Sequence, residues 1–376
     1  MITPNPFTPQ SGWQPRIFGG RQEEISLFKE KLDKSQNSKP EHIVVLGEWG
    51  IGKTSLLRCF KNLAQETGDL ATLCPIGRFT DKDKTIDGAL LIAEELERGL
   101  PKKKEEKQGL HPPKAGSPTA RKSQLQPQTY LTDKLLEIWK ELDTKLAVVL
   151  LDDAQNFSPI SQIIDILRLV LSREEVLKET NYQFVLACTP EAWQSFSDKH
   201  DPIGRFFRTR LILAKLSEKE SAAIIEKTLQ NTGVEFSKDI IQKIFEYTQG
   251  HPYELQLLCS NLYDSQIEKK VDQSVWESAL DKTLRDLGRE YFDVLYRQIT
   301  DRERPALEAL AEKDKPLSIK EIQDGIWTRI KKYRDYPLKD TKNYIYRLVD
   351  KKIVRKTSRG EYEIFDRMFR EYFLKQ

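Results

Sequence analysis

The fold of this chain is decided by one stretch, His42-Ile43-Val44-Val45-Leu46-Gly47-Glu48-Trp49-Gly50-Ile51-Gly52-Lys53-Thr54-Ser55. The apolar run from Ile43 to Leu46 predicts a buried strand, and the apolar residues after Ser55 predict a helix that begins near Lys53. Between them the glycines, the lysine and the threonine have the spacing G-x-x-x-x-G-K-T of a phosphate-binding loop. The strand, loop and helix that this motif requires are all present.

The chemistry of the loop follows from its residue types. Glycines let backbone N–H groups converge on phosphate oxygens, and the N-terminus of the following helix adds a partial positive charge. We expect Lys53 to reach the β- and γ-phosphates of ATP and the Thr54 hydroxyl to ligate Mg²⁺. The predicted cofactors are therefore ATP and Mg²⁺, and the predicted cofactor-binding residues are Gly47, Glu48, Trp49, Gly50, Ile51, Gly52, Lys53, Thr54 and Ser55.

A second apolar run, Leu146 to Leu151, ends in the acidic pair Asp152-Asp153. Such a run predicts a central parallel strand whose carboxyl end meets the phosphates. We expect Asp152 to hold the magnesium shell and Asp153 to orient or deprotonate the attacking water. The plainer interpretation, in which the two aspartates only begin a loop, is less favoured after a phosphate-binding loop.

Two further segments offer catalytic candidates. A buried strand is predicted from Tyr182, and Thr189 follows it, either beside the γ-phosphate or as an ordinary turn hydroxyl. Arg205, Arg208 and Arg210 lie close together beside two phenylalanines. One of them, with Arg205 and Arg208 as the candidates, is predicted to stabilise the charge of the transition state. The alternative interpretation of the remaining arginines is that they form ion pairs in a surface loop.

The composition limits the number of domains and the class of protein. A chain of 376 residues predicts two or three domains, and 38% apolar with 32% charged residues is typical of a soluble protein. The four cysteines have no C-x-x-C spacing, and no apolar run approaches the length of a membrane span, so we expect a cytoplasmic protein without a membrane partner. Residues 101–128 carry a net charge of +5 with many Pro, Gly, Ser and Gln, which predicts a disordered basic insertion, solvated or in contact with nucleic acid.

The C-terminal region predicts three helices and then a hairpin, which is the order of a winged helix. Residues 329–360 contain twelve basic and three acidic residues, a net charge of +9, with four interleaved tyrosines. A basic third helix beside a basic hairpin favours binding of double-stranded DNA, and the alternative is a winged helix used for protein contacts. The predicted DNA-binding residues are Lys339, Lys342, Arg347, Lys356 and Arg359.

Together these motifs resemble the AAA+ and STAND P-loop ATPases, especially prokaryotic ATPases built like origin-recognition proteins. Phe18-Gly19-Gly20-Arg21-Gln22-Glu23-Glu24 is similar to their N-terminal F-x-G-R-x-x-E box, which implies that Phe18 and Arg21 contact the nucleotide. The loop and the double-acid strand resemble Walker A and Walker B, Thr189 stands at the sensor-1 position, and the arginines before Leu211 match the finger region. Gly250-His251-Pro252 is similar to the G-x-P turn of the helical lid, which implies a nucleotide contact from Pro252. Asp153 stands where AAA+ proteins usually have Glu, and no sensor-2 arginine is assigned.

The residues and the resemblance predict an α/β P-loop NTPase with a RecA-like parallel sheet, a helical lid and a C-terminal winged helix. The predicted domains are 1–215, 216–295 and 296–376. The expected function is an ATP-hydrolysing switch with slow turnover that couples its nucleotide state to DNA binding. The alternative is a signalling or defence-type STAND ATPase, with self-assembly or a protein partner.

Overall fold

The computed structural model describes residues 4–10, 15–80, 82–100, 126–160, 162–199, 203–329 and 337–376. The chain forms two compact units, one from Gly19 to Ala214 and the other from Met1–Phe18 together with Lys215–Gln376. We call them the core unit and the C-terminal unit.

The core unit is built on a five-stranded parallel sheet. Its strands are β1 (Ile43–Leu46), β2 (Leu70–Pro75), β3 (Ala147–Asp152), β4 (Tyr182–Cys188) and β5 (Thr209–Ile212). They lie in the order β2-β3-β4-β1-β5, and every neighbouring pair is parallel. Strands β1, β3 and β4 are buried along their full length, as their apolar sequences predict.

Helices cover this sheet and supply the rest of its hydrophobic core. They are α1 (Gln22–Asn37), α2 (Lys53–Glu66), α3 (Thr85–Gly99), α4 (Pro127–Lys140), a 3₁₀ helix (Ala154–Ile160), α5 (Gln162–Leu171), α6 (Glu174–Glu179), α7 (Pro190–Lys199) and α8 (Ile203–Phe206). Because parallel strands need long crossovers, strand and helix alternate along most of this unit. The predicted α/β P-loop architecture with a parallel sheet is confirmed.

The C-terminal unit begins with the residues predicted as a lid. They form α9 (Glu218–Leu229), β6 (Glu235–Phe236), α10 (Lys238–Thr248), α11 (Pro252–Asp264), β7 (Lys270–Val271), α12 (Gln273–Leu287), a π-helical turn (Gly288–Phe292) and α13 (Asp293–Tyr296). A capping box begins α9, because the Ser217 side chain accepts a hydrogen bond from the Glu220 amide.

The last residues form α14 (Arg304–Ala311), α15 (Ile319–Arg329), α16 (Leu338–Asp350), β8 (Val354–Lys356), β9 (Tyr362–Ile364) and α17 (Arg367–Leu374). Strands β8 and β9 pair as an antiparallel hairpin, and Leu317 forms a bridge to Tyr362. One hydrophobic core runs from the lid residues into these elements, with Trp276 and Phe369 fully buried in it. The predicted lid and winged-helix segments therefore belong to one compact unit.

The N-terminal segment also packs in the C-terminal unit, although the sequence counts it with residues 1–215. Phe7 is buried and stacks on Phe236 at 6.0 Å between ring centroids. The Asn5 side-chain amide donates to the Ser260 carbonyl oxygen at 3.0 Å and to Asp264 Oδ1 at 2.7 Å. This segment is therefore fastened to one side of α11.

The predicted insertion at 101–128 needs a correction at its end. Helix α4 begins at Pro127, where proline suits the first helical turn because its missing N–H has no partner to lose. Residues 127 and 128 are therefore helical, and residues 101–125 lie outside the described part of the chain. In the described ranges, no helix is both long enough and apolar enough to cross a membrane.

A buried carboxyl pair joins α11 to α17 inside the C-terminal unit. Glu254 and Asp366 are each 3% exposed and share a hydrogen bond. Lys215 Nζ lies 3.5 Å from Asp366 Oδ2, and His251 Nδ1 lies 3.9 Å from Glu254 Oε1. Burial, and then the neighbouring Asp366 carboxyl, raise the pKa of Glu254 well above its ordinary value, so its carboxyl holds a proton in the folded unit.

The pair makes stability depend on pH. The unfolded chain releases the Glu254 proton near its ordinary pKa of 4.5, whereas the folded chain retains it, so stability falls as pH rises above that value. Glu254→Gln keeps a donor of the same shape without an ionisable proton. We expect the variant to exceed the parent by about 1–2 kcal/mol in unfolding free energy at pH 8, with the difference shrinking towards pH 5. Urea denaturation at pH 8 and pH 5 measures this difference in unfolding free energy, and the exposed Glu277→Gln is the control. An equal difference between Glu254→Gln and the parent at both pH values would contradict the prediction.

Candidate functional site

The phosphate-binding loop joins β1 to α2 at the carboxyl edge of the sheet. The Gly47 amide donates to the Cys188 carbonyl at 3.2 Å, which ties the loop to the end of β4. A Cβ on Gly47 would lie 2.5 Å from Ile51 Cγ2, so the loop closes only around glycine. Gly52 caps α2 with φ 99°, a conformation that L side chains rarely adopt. The backbone therefore forms a cradle at a helix N-terminus, which is where proteins bind phosphate.

Lys53 lies inside this cradle with its side chain 7% exposed. Its Nζ donates to the carbonyl oxygens of Gly47 at 3.0 Å and Glu48 at 2.9 Å. Burial lowers the pKa of Lys53, and the carboxylates of Asp153 and Asp152 oppose this change. The ammonium group is thus held by the loop itself, and its predicted contact with phosphate stays a prediction.

The acidic pair lies beside the same loop. Register places Leu46 opposite Cys188 and Leu151 opposite Leu186, so the ends of β1, β3 and β4 meet at one edge. The Thr54 hydroxyl hydrogen-bonds the Asp152 carboxylate, although burial keeps the pKa of Asp152 above its ordinary value. The sequence predicted Thr54 and Asp152 as ligands of one magnesium ion, and that role stays a prediction.

A magnesium ion fits this donor set. Hydroxyl and carboxylate oxygens are the ligands that Mg²⁺ prefers, and it is normally bound by one or two protein groups with phosphate and water completing the shell. No cluster of three or more His, Cys, Asp or Glu able to hold a metal occurs in the described ranges. Thr54 and Asp152 would hold the ion, and phosphate and water would complete its shell.

Asp153 follows the strand in a left-handed conformation, with φ 55°. Aspartate tolerates this region better than most residues, and such conformations concentrate at functional sites. Its amide donates to Asp152 Oδ1 at 3.0 Å, and its carbonyl begins the 3₁₀ helix by accepting from the Asn156 amide at 2.9 Å. The turn therefore leads directly from the end of β3 into the 3₁₀ helix.

Thr189 follows β4, between the ends of β3 and β1. Its Oγ1 accepts a hydrogen bond from the Ala192 amide at 3.3 Å, so the hydroxyl caps the start of α7. The capping bond uses an acceptor site and leaves the hydroxyl proton to donate. Its predicted contact with a γ-phosphate stays a prediction.

Arg21 is placed beside the loop in a way that the sequence did not indicate. Its Nη2 donates to the Ile51 carbonyl oxygen at 3.1 Å, and its Nη1 lies 3.5 Å from Glu24 Oε1. The guanidinium thus supports the loop from outside. Its predicted nucleotide contact stays a prediction, as do those of Phe18 and Pro252, which belong to the C-terminal unit.

The arginine candidates lie on the surface of the core unit. Arg205 and Arg208 are exposed at and after α8, and Arg208 Nε donates to the Arg205 carbonyl at 3.1 Å. Arg210, on the edge strand β5, stacks on the Trp193 ring at 5.7 Å. Because Arg205 and Arg208 are exposed, their charge is open to a neighbouring molecule.

The predicted DNA-binding residues are all exposed on the C-terminal unit. Helix α16 exposes a stripe at helical spacing, and the hairpin exposes three further cations, of which Arg355 was not predicted. The predicted residues on these surfaces are Lys339, Lys342, Arg347, Lys356 and Arg359. Lys342 Nζ lies 5.5 Å from the Tyr346 ring centroid, and Arg347 Cζ lies 5.6 Å from that of Tyr344. The stripe also exposes Asn343, an amide side chain that charge counting could not find.

Comparisons with known proteins agree with this geometry. Residues 36–196 match the profile of a family described as AAA domain. The structure resembles a Walker-type ATPase of Pyrococcus abyssi at 15% identity, with a TM-score of 0.63 over 96% of both chains. It resembles the ORC2 protein of Aeropyrum pernix in its ADPNP–ADP complexes at 12% identity, with a TM-score of 0.63 over 98% of this chain and 97% of that one.

A third similar structure is the ORC1 protein of Aeropyrum pernix in complex with DNA, at 18% identity and a TM-score of 0.50 over 96% of this chain and 93% of that one. No curated protein matches the sequence. The topology, the loop and these likenesses define the fold as that of the AAA+ P-loop NTPases. The match to the AAA profile contains both the phosphate-binding loop and the acidic pair.

Proposed function

We propose that this protein binds and slowly hydrolyses ATP with Mg²⁺. The observation that carries the proposal is the burial of Lys53 in a glycine cradle whose neighbouring strand ends in the Asp152-Asp153 pair. Backbone amides and Lys53 would bind the phosphates, Thr54 and Asp152 would hold the metal, and Asp153 would act on the attacking water. Release of inorganic phosphate from ATP, measured with the intact chain and Mg²⁺, tests it.

We further propose that the last helices and the hairpin form a winged helix that binds double-stranded DNA. The exposed cations of α16 and the hairpin support this, because a basic recognition helix beside a basic wing suits a phosphate backbone. The DNA in the Aeropyrum pernix ORC1 structure makes duplex DNA a reasonable ligand to test. ATP would control DNA affinity only through a difference in its own affinity for two states of the protein.

A mobility-shift titration tests the DNA proposal. We expect the parent's duplex affinity to fall about tenfold or more between 50 and 200 mM salt. Lys342→Glu/Arg359→Glu should weaken binding at least about tenfold and reduce the salt slope by about two, because two phosphate contacts are lost. Lys227→Glu/Lys238→Glu makes the same change of charge at exposed positions of α9 and α10 and should bind as the parent does. Equal loss in both variants would show a general charge effect.

The second candidate function is a signalling or defence-type STAND ATPase, in which the same C-terminal face binds protein. The aromatic rings beside the cations, Tyr344 and Tyr346, favour it as much as they favour nucleic acid. An absence of duplex binding by the parent, with and without ATP, would select this alternative. The exposed Arg205 and Arg208 would then be tested as contacts to a second copy, by measuring mass in the presence of a non-hydrolysable ATP analogue.

A further inference from the structure

Gln155 is a side chain at the acidic pair that belongs to none of the sequence motifs. It belongs to the 3₁₀ helix after β3, and its Nε2 donates to Asp153 Oδ1 at 2.9 Å. Its Oε1 is buried and has no hydrogen-bond partner in the described ranges. A buried acceptor without a partner is destabilising, so the amide is held in this orientation by the bond from Nε2. The flipped amide would place oxygen against the carboxylate.

The backbone that carries Gln155 is fixed on both sides. Ala154 and Phe157 are fully buried, and the Asn156 side-chain amide donates to the Ile76 carbonyl at 2.6 Å, beyond the end of β2. The Ile76 amide in turn donates to the Asp152 carbonyl at 3.0 Å. The donor that meets Asp153 therefore comes from a short segment that is tied to two strands of the sheet.

We propose that Gln155 is a positioning residue for Asp153, whose carboxylate it holds in one orientation towards the attacking water. The inference rests on the proposed ATPase function. A carboxylate on a short side chain at the end of a strand can rotate about χ2, and a fixed amide donor removes this freedom. Gln155 acts through Asp153, and it is assigned no contact with the phosphates.

Kinetics provide the first test. Gln155→Ala should lower kcat about tenfold and leave KM for ATP within about twofold, because orientation matters in the transition state and not for phosphate binding. In an Asp153→Asn background the same change should have no further effect. The control is Gln194→Ala on α7, which removes an amide–carboxylate bond of the same kind, from Gln194 Nε2 to Asp198 Oδ1 at 2.7 Å, and should turn over as the parent does. An additional loss in the Asp153→Asn background would overturn the proposal.

A second test does not depend on turnover. ADP with aluminium fluoride imitates the transition state, whereas ADP with beryllium fluoride imitates bound ATP. Gln155→Ala should weaken the first complex about tenfold and leave the second unchanged. An equal loss in both would assign Gln155 to general binding and overturn the proposal.

A crystal structure of Gln155→Ala tests the role of Gln155 separately from the proposed ATPase function. We expect the Asp153 carboxylate to leave the orientation that it has in the parent. An unchanged, well-ordered carboxylate would overturn the role of Gln155 even if the parent hydrolyses ATP. A parent that binds neither nucleotide complex would refute the proposed function, while the position of the Asp153 carboxylate in the variant would still decide the role of Gln155.

Discussion

Lys53→Ala is expected to weaken ATP binding by at least about 100-fold, because a charged hydrogen-bond donor to phosphate is worth about 1.5–3 kcal/mol for each bond. In the structure the ammonium group is buried, and its only acceptors in the described ranges are the Gly47 and Glu48 carbonyls. Its removal leaves both carbonyls facing the place where a phosphate would lie. The backbone amides of the loop remain, but they have to hold several negative charges without a cation.

Titration calorimetry with a non-hydrolysable ATP analogue and Mg²⁺ measures this loss. Lys61→Ala is the matched control, since it removes a lysine two turns further along α2 and outside the cradle. Thermal unfolding without nucleotide shows whether the variant retains its fold. If Lys53→Ala bound the analogue as the parent does, the phosphates would have to be bound elsewhere, and the proposed function would lose its site.

The sequence predicted those parts of the site that depend on residues close together in the chain. The loop from Gly47 to Ser55 and the strand before Asp152 were predictable because glycine spacing and continuous apolar runs have local causes. The order of the strands was not, because it depends on which crossover packs on which face. The same limit hid the contact of Arg21 with the loop, because its guanidinium reaches a carbonyl thirty residues away in the chain.

The contacts of single side chains that belong to no charge pattern could not be predicted from the sequence either. Gln155 is one polar residue in a short 3₁₀ helix, and its amide reaches the carboxylate of Asp153 where the chain makes a left-handed turn. Glu254 lies in the first turn of a helix, and its carboxyl partner Asp366 caps the N-terminus of the last helix of the chain. Such pairs need the tertiary structure, because neither residue has a periodic or motif signal.

Asp153→Asn is expected to keep ATP bound and to lower turnover by about 100-fold or more, which is the usual contribution of a general base. The substitution is well matched to the structure. Asparagine tolerates the left-handed backbone at φ 55° as well as aspartate does, and its Oδ1 still accepts the bond from Gln155 Nε2. The variant therefore loses the charge and basicity of one carboxylate with little change in shape.

Phosphate release at saturating ATP, together with the affinity for the non-hydrolysable analogue, separates turnover from binding. Asp133→Asn, at an exposed position of α4, is the control for loss of one negative charge. Hydrolysis by Asp153→Asn at the parent's rate would refute the role of this carboxylate, whereas loss of binding would place Asp153 among the phosphate or metal contacts.

If the variant binds ATP and cannot hydrolyse it, its affinity for duplex DNA in ATP should stay constant with time, while that of the parent changes as ADP accumulates. That comparison tests the coupling between nucleotide and DNA, because it changes the fate of the nucleotide and leaves the basic face of α16 untouched.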